Sequence, residues 1–275
     1  MCIYWYYGDT SGIGGNTKVY SQIIFGIMLP FVGTVVGAGC VFLTRRRDGN
    51  RGRRLIEGFS AGVMVAASIW SLLIPSMELA EGRGIPPAVP AAAGFLLGIV
   101  FFLACDRLLL RRPNIGTGET ADLLGDGGLS ALAVAIHNLP EGMAVGAIYA
   151  ELLCGADPTA ASAALALSIG ITVQNLPEGA IISLPLYASG KGKLRSFVLG
   201  GLSGAVEPLG AILTILAAGI AVPLLPYLLG FAAGAMMYAV LEEFTGKGDS
   251  DRTPFWILSF SAGFLLMMSL DVLLS

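Results

Sequence analysis

Long apolar runs recur along nearly the whole chain, separated by short polar connections. A helix needs about 20 residues to cross ~30 Å of hydrocarbon. Eight segments meet that requirement, at 19–44, 55–79, 88–110, 129–152, 158–188, 196–219, 223–244 and 254–274. The pattern predicts an all-α integral membrane protein, built as a single transmembrane domain over residues 1–275. The fourth and fifth segments are interrupted in the same way. One carries HNLPEG at 137–142 and the other QNLPEG at 174–179. Each motif sets a proline, which removes a helical N–H, beside a glutamate, which hydrocarbon disfavours.

Composition agrees with this pattern. Charged residues make up 13% of the chain, against about 25% in soluble domains, and the mean hydropathy is +0.77. The charges also orient the chain. Arg45, Arg46, Arg47, Arg51, Arg53 and Arg54 fill the first connection. Arg107, Arg111 and Arg112 flank the third, Lys191, Lys193 and Arg195 the fifth, and Lys247 and Arg252 the seventh. Only Lys18 and Arg83 fall on the opposite side. Because cytoplasmic connections collect Lys and Arg, eight crossings with both termini outside sort the charges cleanly. The N-terminal stretch lacks a basic region ahead of an apolar one, so the first helix is expected to act as an uncleaved insertion signal. The connections carry no nucleotide-binding motif, and no nucleic-acid partner is expected. The expected partners are the lipid bilayer and divalent metal ions.

The chain has 38 glycines, many of them in apolar runs and four residues apart: Gly33/Gly37, Gly58/Gly62, Gly94/Gly98, Gly142/Gly146 and Gly230/Gly234. Such pairs let helices approach closely in lipid. They predict a tight bundle and leave room for a homodimer. Cys2, Cys40, Cys105 and Cys154 form no CxxC motif and read as small buried residues, or as an incidental outer pair of Cys2 and Cys154.

The candidate chemistry sits in the two interruptions. His137 and Glu141 are one turn apart on one face, as are Gln174 and Glu178. Asn138 and Asn175 lie three residues before the same glutamates. Pro140 and Pro177 leave the carbonyls of Ile136 and Val173 without their helical donors, so kinks are expected in the fourth and fifth helices. The sixth segment adds Glu207, followed by Pro208. An acidic residue at a helix centre costs about 2.5–3.5 kcal/mol to insert, yet no Lys or Arg stands at that depth to pair with these three. Protons or a bound cation must supply the positive charge. One imidazole with carboxylates and amide oxygens is a divalent-metal ligand set. Glutamates shared between neighbouring groups predict two adjacent metal positions. One is centred on His137, Glu141, Gln174 and Glu178. The other uses Asn138, Glu141, Asn175, Glu178 and Glu207.

HNLPEG followed by QNLPEG resembles the fourth- and fifth-helix signatures of the ZIP (Zrt/Irt-like) divalent metal transporters. GFSAGVMVAAS and LIPSMELAE in the second segment, LSGAVEPLGA in the sixth and LLGFAAGAMMYAVLEE in the seventh resemble the same family, over about residues 20–275. Gln174, where many relatives carry histidine, and SLPL at 183–186 point to the GufA-like branch. The resemblance implies eight helices, import toward the cytoplasm and a binuclear centre between helices four and five. Its ligands would be His137, Asn138, Glu141, Gln174, Asn175, Glu178 and Glu207, with Met64 as a candidate thioether. The chain departs from many relatives in lacking a His-rich connection.

Together these readings predict a multi-pass cell-membrane transporter, not an enzyme and without a cofactor. Its cargo is expected to be Zn²⁺, with Fe²⁺, Mn²⁺ and Cd²⁺ as further ions. An ion entering past Glu78 and Glu81 would leave past Glu242 and Glu243. Two rivals stand beside this reading. A proton-coupled carrier of an organic solute would use the glutamates as proton relays but would not explain the alternating amides. An intramembrane metal hydrolase would need a HExxH helix or several histidines, and the chain has one histidine.

Overall fold

The computed structural model describes residues 13–44, 50–107, 138–154, 159–245 and 254–274, and these form helices and short connections. Helix α1 is Ile13–Ala38, continued by the short helix Cys40–Leu43. Helix α2 runs from Asn50 to Gly82 with a widened π turn at Ser68–Leu73. Then come α3, Ala88–Cys105, α4, described over 138–153, and α5, Thr159–Ala188. Helix α6 runs from Lys193 to Leu216 through a tight 3₁₀ turn at Ser203–Ala205. The last two are α7, Leu225–Thr245, and α8, Pro254–Leu274.

Seven of these helices are long and apolar enough to cross a membrane: α1, α2, α3, α5, α6, α7 and α8. The predicted fourth segment supplies α4, and its earlier part lies outside the described residues. Large apolar side chains such as Leu96, Leu97 and Val100 on α3 and Ile257, Leu258 and Leu265 on α8 face outward, as a lipid-facing surface requires. The described part of α2 begins at Asn50, and its membrane-crossing stretch runs from Arg54 to Gly82, beside the expected start at 55. Helix α5 is helical without a break through Pro177 and Pro185.

The π turn has a local cause. Pro75 has no N–H, and its ring crowds the carbonyl one turn back. Just before it the chain widens by one residue, and the Ile74 N–H donates to the Ile69 carbonyl, five residues back.

Glycine pairs decide which helices meet. A Cβ on Gly33 or Gly37 would run into the Thr172 or Leu176 carbonyl of α5, and one on Gly179 of α5 would strike the Thr34 carbonyl of α1. Gly58 and Gly62 of α2 lie on the α8 backbone at Trp256 and Phe260, and Gly263 of α8 lies on Phe59. Gly94 and Gly98 of α3 meet Tyr227 and Phe231 of α7, while Gly230 and Gly234 meet Ala91 and Phe95 in return. Gly142 and Gly146 of α4 press on the α6 backbone at Glu207 and Ala211. Gly210 of α6 meets the Leu139 carbonyl of α4 in return, so the predicted close approaches are all present and each of the four helix pairs is reciprocal. The cysteines differ from expectation: Cys40, Cys105 and Cys154 are half-buried rather than buried, and Cys2 lies outside the described residues.

Two groups result. One holds α1, α4, α5 and α6, and the other holds α2, α3, α7 and α8; within them the most extensive packing is α1 on α5, α2 on α8 and α3 on α7. The main seam between groups is α2 against α5, where an apolar core gathers Ala61, Val63, Ala67, Leu167 and Ile171. On the same seam Ser71 donates to Asp271 at 2.5 Å, beside Gly170 of α5. The connections sort to two ends. Arg83, after α2, pairs with Glu151 at the end of α4 at 2.9 Å and donates to the Val222 and Pro223 carbonyls between α6 and α7. At the other end Lys193, before α6, donates to the Phe42 and Thr44 carbonyls after α1.

Candidate metal centre

The two motif helices bring their polar residues to one place inside the first group. Asn138 and Glu141 come from the described start of α4, Gln174, Asn175 and Glu178 from the middle of α5, and Glu207 from α6 just past its tight turn. All six are buried, the most exposed being Glu178 at 7%. Gly142 is what lets α4 lie against the Glu207 backbone, which brings the α6 carboxylate level with the two motifs.

Each amide is tied by its nitrogen. Gln174 Nε2 donates to Glu141 Oε1 at 2.7 Å and to Glu178 Oε1 at 3.3 Å. Asn138 Nδ2 donates to Glu207 Oε1, and Asn175 Nδ2 to Glu207 Oε2, both at 2.8 Å. Gln174 thus bridges the two motif glutamates, and Glu207 bridges the two asparagines. Glutamine suits the first role because one NH₂ group has two donors. Carboxylate suits the second because each of its oxygens accepts.

What remains is a set of acceptors. Asn138 Oδ1, Glu141 Oε2, Gln174 Oε1, Asn175 Oδ1 and Glu178 Oε2 are all buried without a hydrogen-bond partner. Leaving a buried polar atom unpaired costs about 1–3 kcal/mol, so native proteins rarely do so. Here five such atoms fall on five residues of the two motifs. All are oxygens, so a further acceptor cannot satisfy them, while a cation can. Two belong to carboxylates and three to amides, a donor set that suits a divalent cation and excludes a soft Cu(I)-type site.

Other expected ligands stand differently. Glu207 carries no orphan oxygen: it accepts from both asparagines and, at Oε1, from Thr34 Oγ1 at 3.1 Å. Both of its oxygens are held by donors from neighbouring helices. Met64 is buried at 8% in the apolar core on α2 and enters none of these hydrogen bonds. His137 lies outside the described residues. Among the described residues, no three His, Cys, Asp or Glu side chains form a metal-holding group by themselves, because amides alternate with the carboxylates. Glu78 and Glu81, toward the Arg83 end of α2, are exposed.

The sequence reading missed α1. Thr34 is fully buried, and the Pro30 carbonyl accepts from Asn175 Nδ2 at 3.3 Å. Neither residue carries a signal in sequence, since threonine within an apolar helix ordinarily bonds back to its own helix.

A buried, acceptor-only centre bearing carboxylates, set among apolar helices of membrane-crossing length, defines an integral membrane protein that handles cations. Comparison with known proteins gives the family. Residues 127–246 match the family model described as ZIP Zinc transporter. The chain is 32% identical to zinc transporter ZIP11 of Homo sapiens, over 94% of this chain and 98% of that protein. It is 33% identical to zinc transporter GufA of Myxococcus xanthus, over 78% and 84%, and 32% identical to zinc transporter ZIPB of Bordetella bronchiseptica, over 97% and 86%. The chain belongs to the ZIP zinc transporter family, a family of transporters rather than enzymes, and the similarity to GufA bears out the branch indicated by Gln174 and SLPL.

Proposed function

We propose that this protein carries a divalent transition metal, zinc foremost, across the cell membrane toward the cytoplasm, through the centre between α4 and α5. The observation that carries the reading is the set of five buried, unpartnered oxygens on the two motifs. The metal is the cargo. Glu141 and Glu178 supply the charge that attracts it, and the oxygens of Asn138, Gln174 and Asn175 replace part of its hydration shell. His137, next to Asn138 in sequence, adds an imidazole nitrogen. Two metal positions sharing Glu141 and Glu178 account for the doubling of the motif, with Glu207 at the second of them and Met64 as a candidate thioether. Eight crossings with both termini outside give α4 and α5 opposite directions through the membrane.

The chain's own residues organise this without cargo. Gln174 keeps the two glutamates from repelling each other apart by donating to one oxygen of each. This leaves the second oxygen of each free to bind. The test is Zn²⁺ uptake into proteoliposomes by wild type, Glu141→Ala and Glu178→Ala, with folding checked by size exclusion. Wild type is expected to accumulate Zn²⁺ and both variants to lose uptake while staying folded. A wild type that takes up none of Zn²⁺, Fe²⁺, Mn²⁺ or Cd²⁺ in either orientation would overturn the reading in favour of a proton-coupled solute carrier.

A further inference from the structure

We infer that Thr34 of α1 is a positioning residue for the metal centre: its hydroxyl fixes Glu207 so that the asparagine carbonyl oxygens of both motifs are presented to the cargo. This rests on the transport reading and extends it to a helix that carries none of the motifs.

The argument begins with Glu207. Its carboxylate is 1% exposed and surrounded by donors: Asn138 and Thr34 on Oε1, Asn175 on Oε2. Each asparagine gives its nitrogen to Glu207 and keeps its oxygen unpartnered. The orientation of both amides therefore depends on where the Glu207 oxygens stand. A carboxylate at the end of a glutamate side chain has three torsions to fix, and two amides pulling from α4 and α5 do not fix them from the α6 side. Thr34 supplies the third hold, from α1.

Its hydroxyl is committed to that task. The usual partner of a helical threonine is the carbonyl four residues back. Here that carbonyl belongs to Pro30, stands 3.5 Å away and already accepts from Asn175 at 3.3 Å. Glu207 Oε1, at 3.1 Å and charged, is the better acceptor. The result is a closed circuit through three helices. Thr34 donates to Glu207, Asn175 donates to Glu207 and to Pro30, and Pro30 and Thr34 are one turn of α1.

The fold also makes room for it. A Cβ on Gly204, in the tight turn of α6, would come within 2.6 Å of the Thr34 hydroxyl oxygen. A Cβ on Gly179 of α5 would strike the Thr34 backbone carbonyl. Glycines on two neighbouring helices thus clear the space around one branched hydroxyl residue.

The test separates hydroxyl from shape. Zn²⁺ affinity is measured by titration on purified full-length protein, and KM and maximal rate by uptake into proteoliposomes, for wild type, Thr34→Val, Thr34→Ala and Thr34→Ser. Groups that orient metal ligands typically contribute about 10- to 100-fold to affinity. Thr34→Val and Thr34→Ala are expected to raise Kd and KM by about tenfold or more, with the maximal rate within about twofold of wild type. Thr34→Ser is expected to recover most of the affinity. Wild-type affinity in a folded Val or Ala variant overturns the proposal, as does a Ser variant as weak as Val, which would assign Thr34 to packing. The Ala variant keeps the test open should Val fail to fold. Wild type that neither binds nor moves Zn²⁺ removes the transport reading, and with it this one.

Discussion

At the residue scale, the centre is built from side chains that each do two things. One atom of each motif amide or glutamate is tied to a neighbour, and another is left facing inward without a partner. Two of the five free oxygens belong to Glu141 and Glu178, and a proton and a divalent cation compete for them. On the proposed transport reading, acid loads these carboxylates with protons that the metal must displace, so affinity falls as pH falls. Zn²⁺ titrated between about pH 7.5 and about pH 5 is expected to bind more weakly at each step, by up to about tenfold per unit for each proton displaced. A flat profile would mean that the carboxylates take no part. The residues that contribute charge were legible in the sequence, because a carboxylate in an apolar run is conspicuous. The surroundings of Glu207 were not: spacing marks it as one more ligand, and nothing in the sequence places Thr34, Asn138 and Asn175 as its three donors. Thr34 was invisible for a related reason, since its importance comes from the side chain it meets on another helix, 173 positions away.

At the element scale, the helices are paired by glycine set on backbone. The spacing of the glycines announced that close approaches exist, but one helix's pattern does not name its partner, and α1 with α5 or α3 with α7 could not have been matched in advance. These contacts predict a contrast. A Cβ on Gly62 would run into the Phe260 carbonyl of α8, whereas Gly219 has open space around it. Gly62→Ala is expected to lower stability by about 1–3 kcal/mol, the usual range for overpacking. Gly219→Ala is expected to leave it unchanged or raise it by about 0.5–1 kcal/mol. Thermal melts in detergent, with the two variants side by side, check both signs. The π turn at Ser68–Leu73 escaped, because Pro75 announces a disturbance without saying whether the helix kinks, breaks or widens.

At the scale of the whole molecule, two groups of helices meet along a seam and are tied at one end by Arg83. Its guanidinium reaches Glu151 at 2.9 Å and the Val222 and Pro223 carbonyls at 2.8 and 3.2 Å, so one side chain joins three connections. An exposed ion pair alone contributes about 0.2–1 kcal/mol, and charged hydrogen bonds contribute about 1.5–3 kcal/mol. Arg83→Ala is therefore expected to lower the melting temperature more than Glu151→Gln, with Zn²⁺ affinity unchanged in both. Equal losses would show that the carbonyl contacts contribute nothing.

The widened turn in α2 has a consequence for this architecture. An α-helix advances about 100° per residue, so one additional residue in a turn resets the phase of everything after it. Before the turn, Gly58 and Gly62 bring α2 onto α8. After it, Ser76 donates to the Pro226 carbonyl of α7 at 2.6 Å, and Arg83 stands where it can reach α4. A single straight helix of this sequence would aim one of those halves away from its partner. The surplus residue lets one rod serve two neighbours that lie at different bearings around it. The rod's two ends thereby keep separate allegiances, and residue count within those six positions, rather than their chemistry, is what holds them in register.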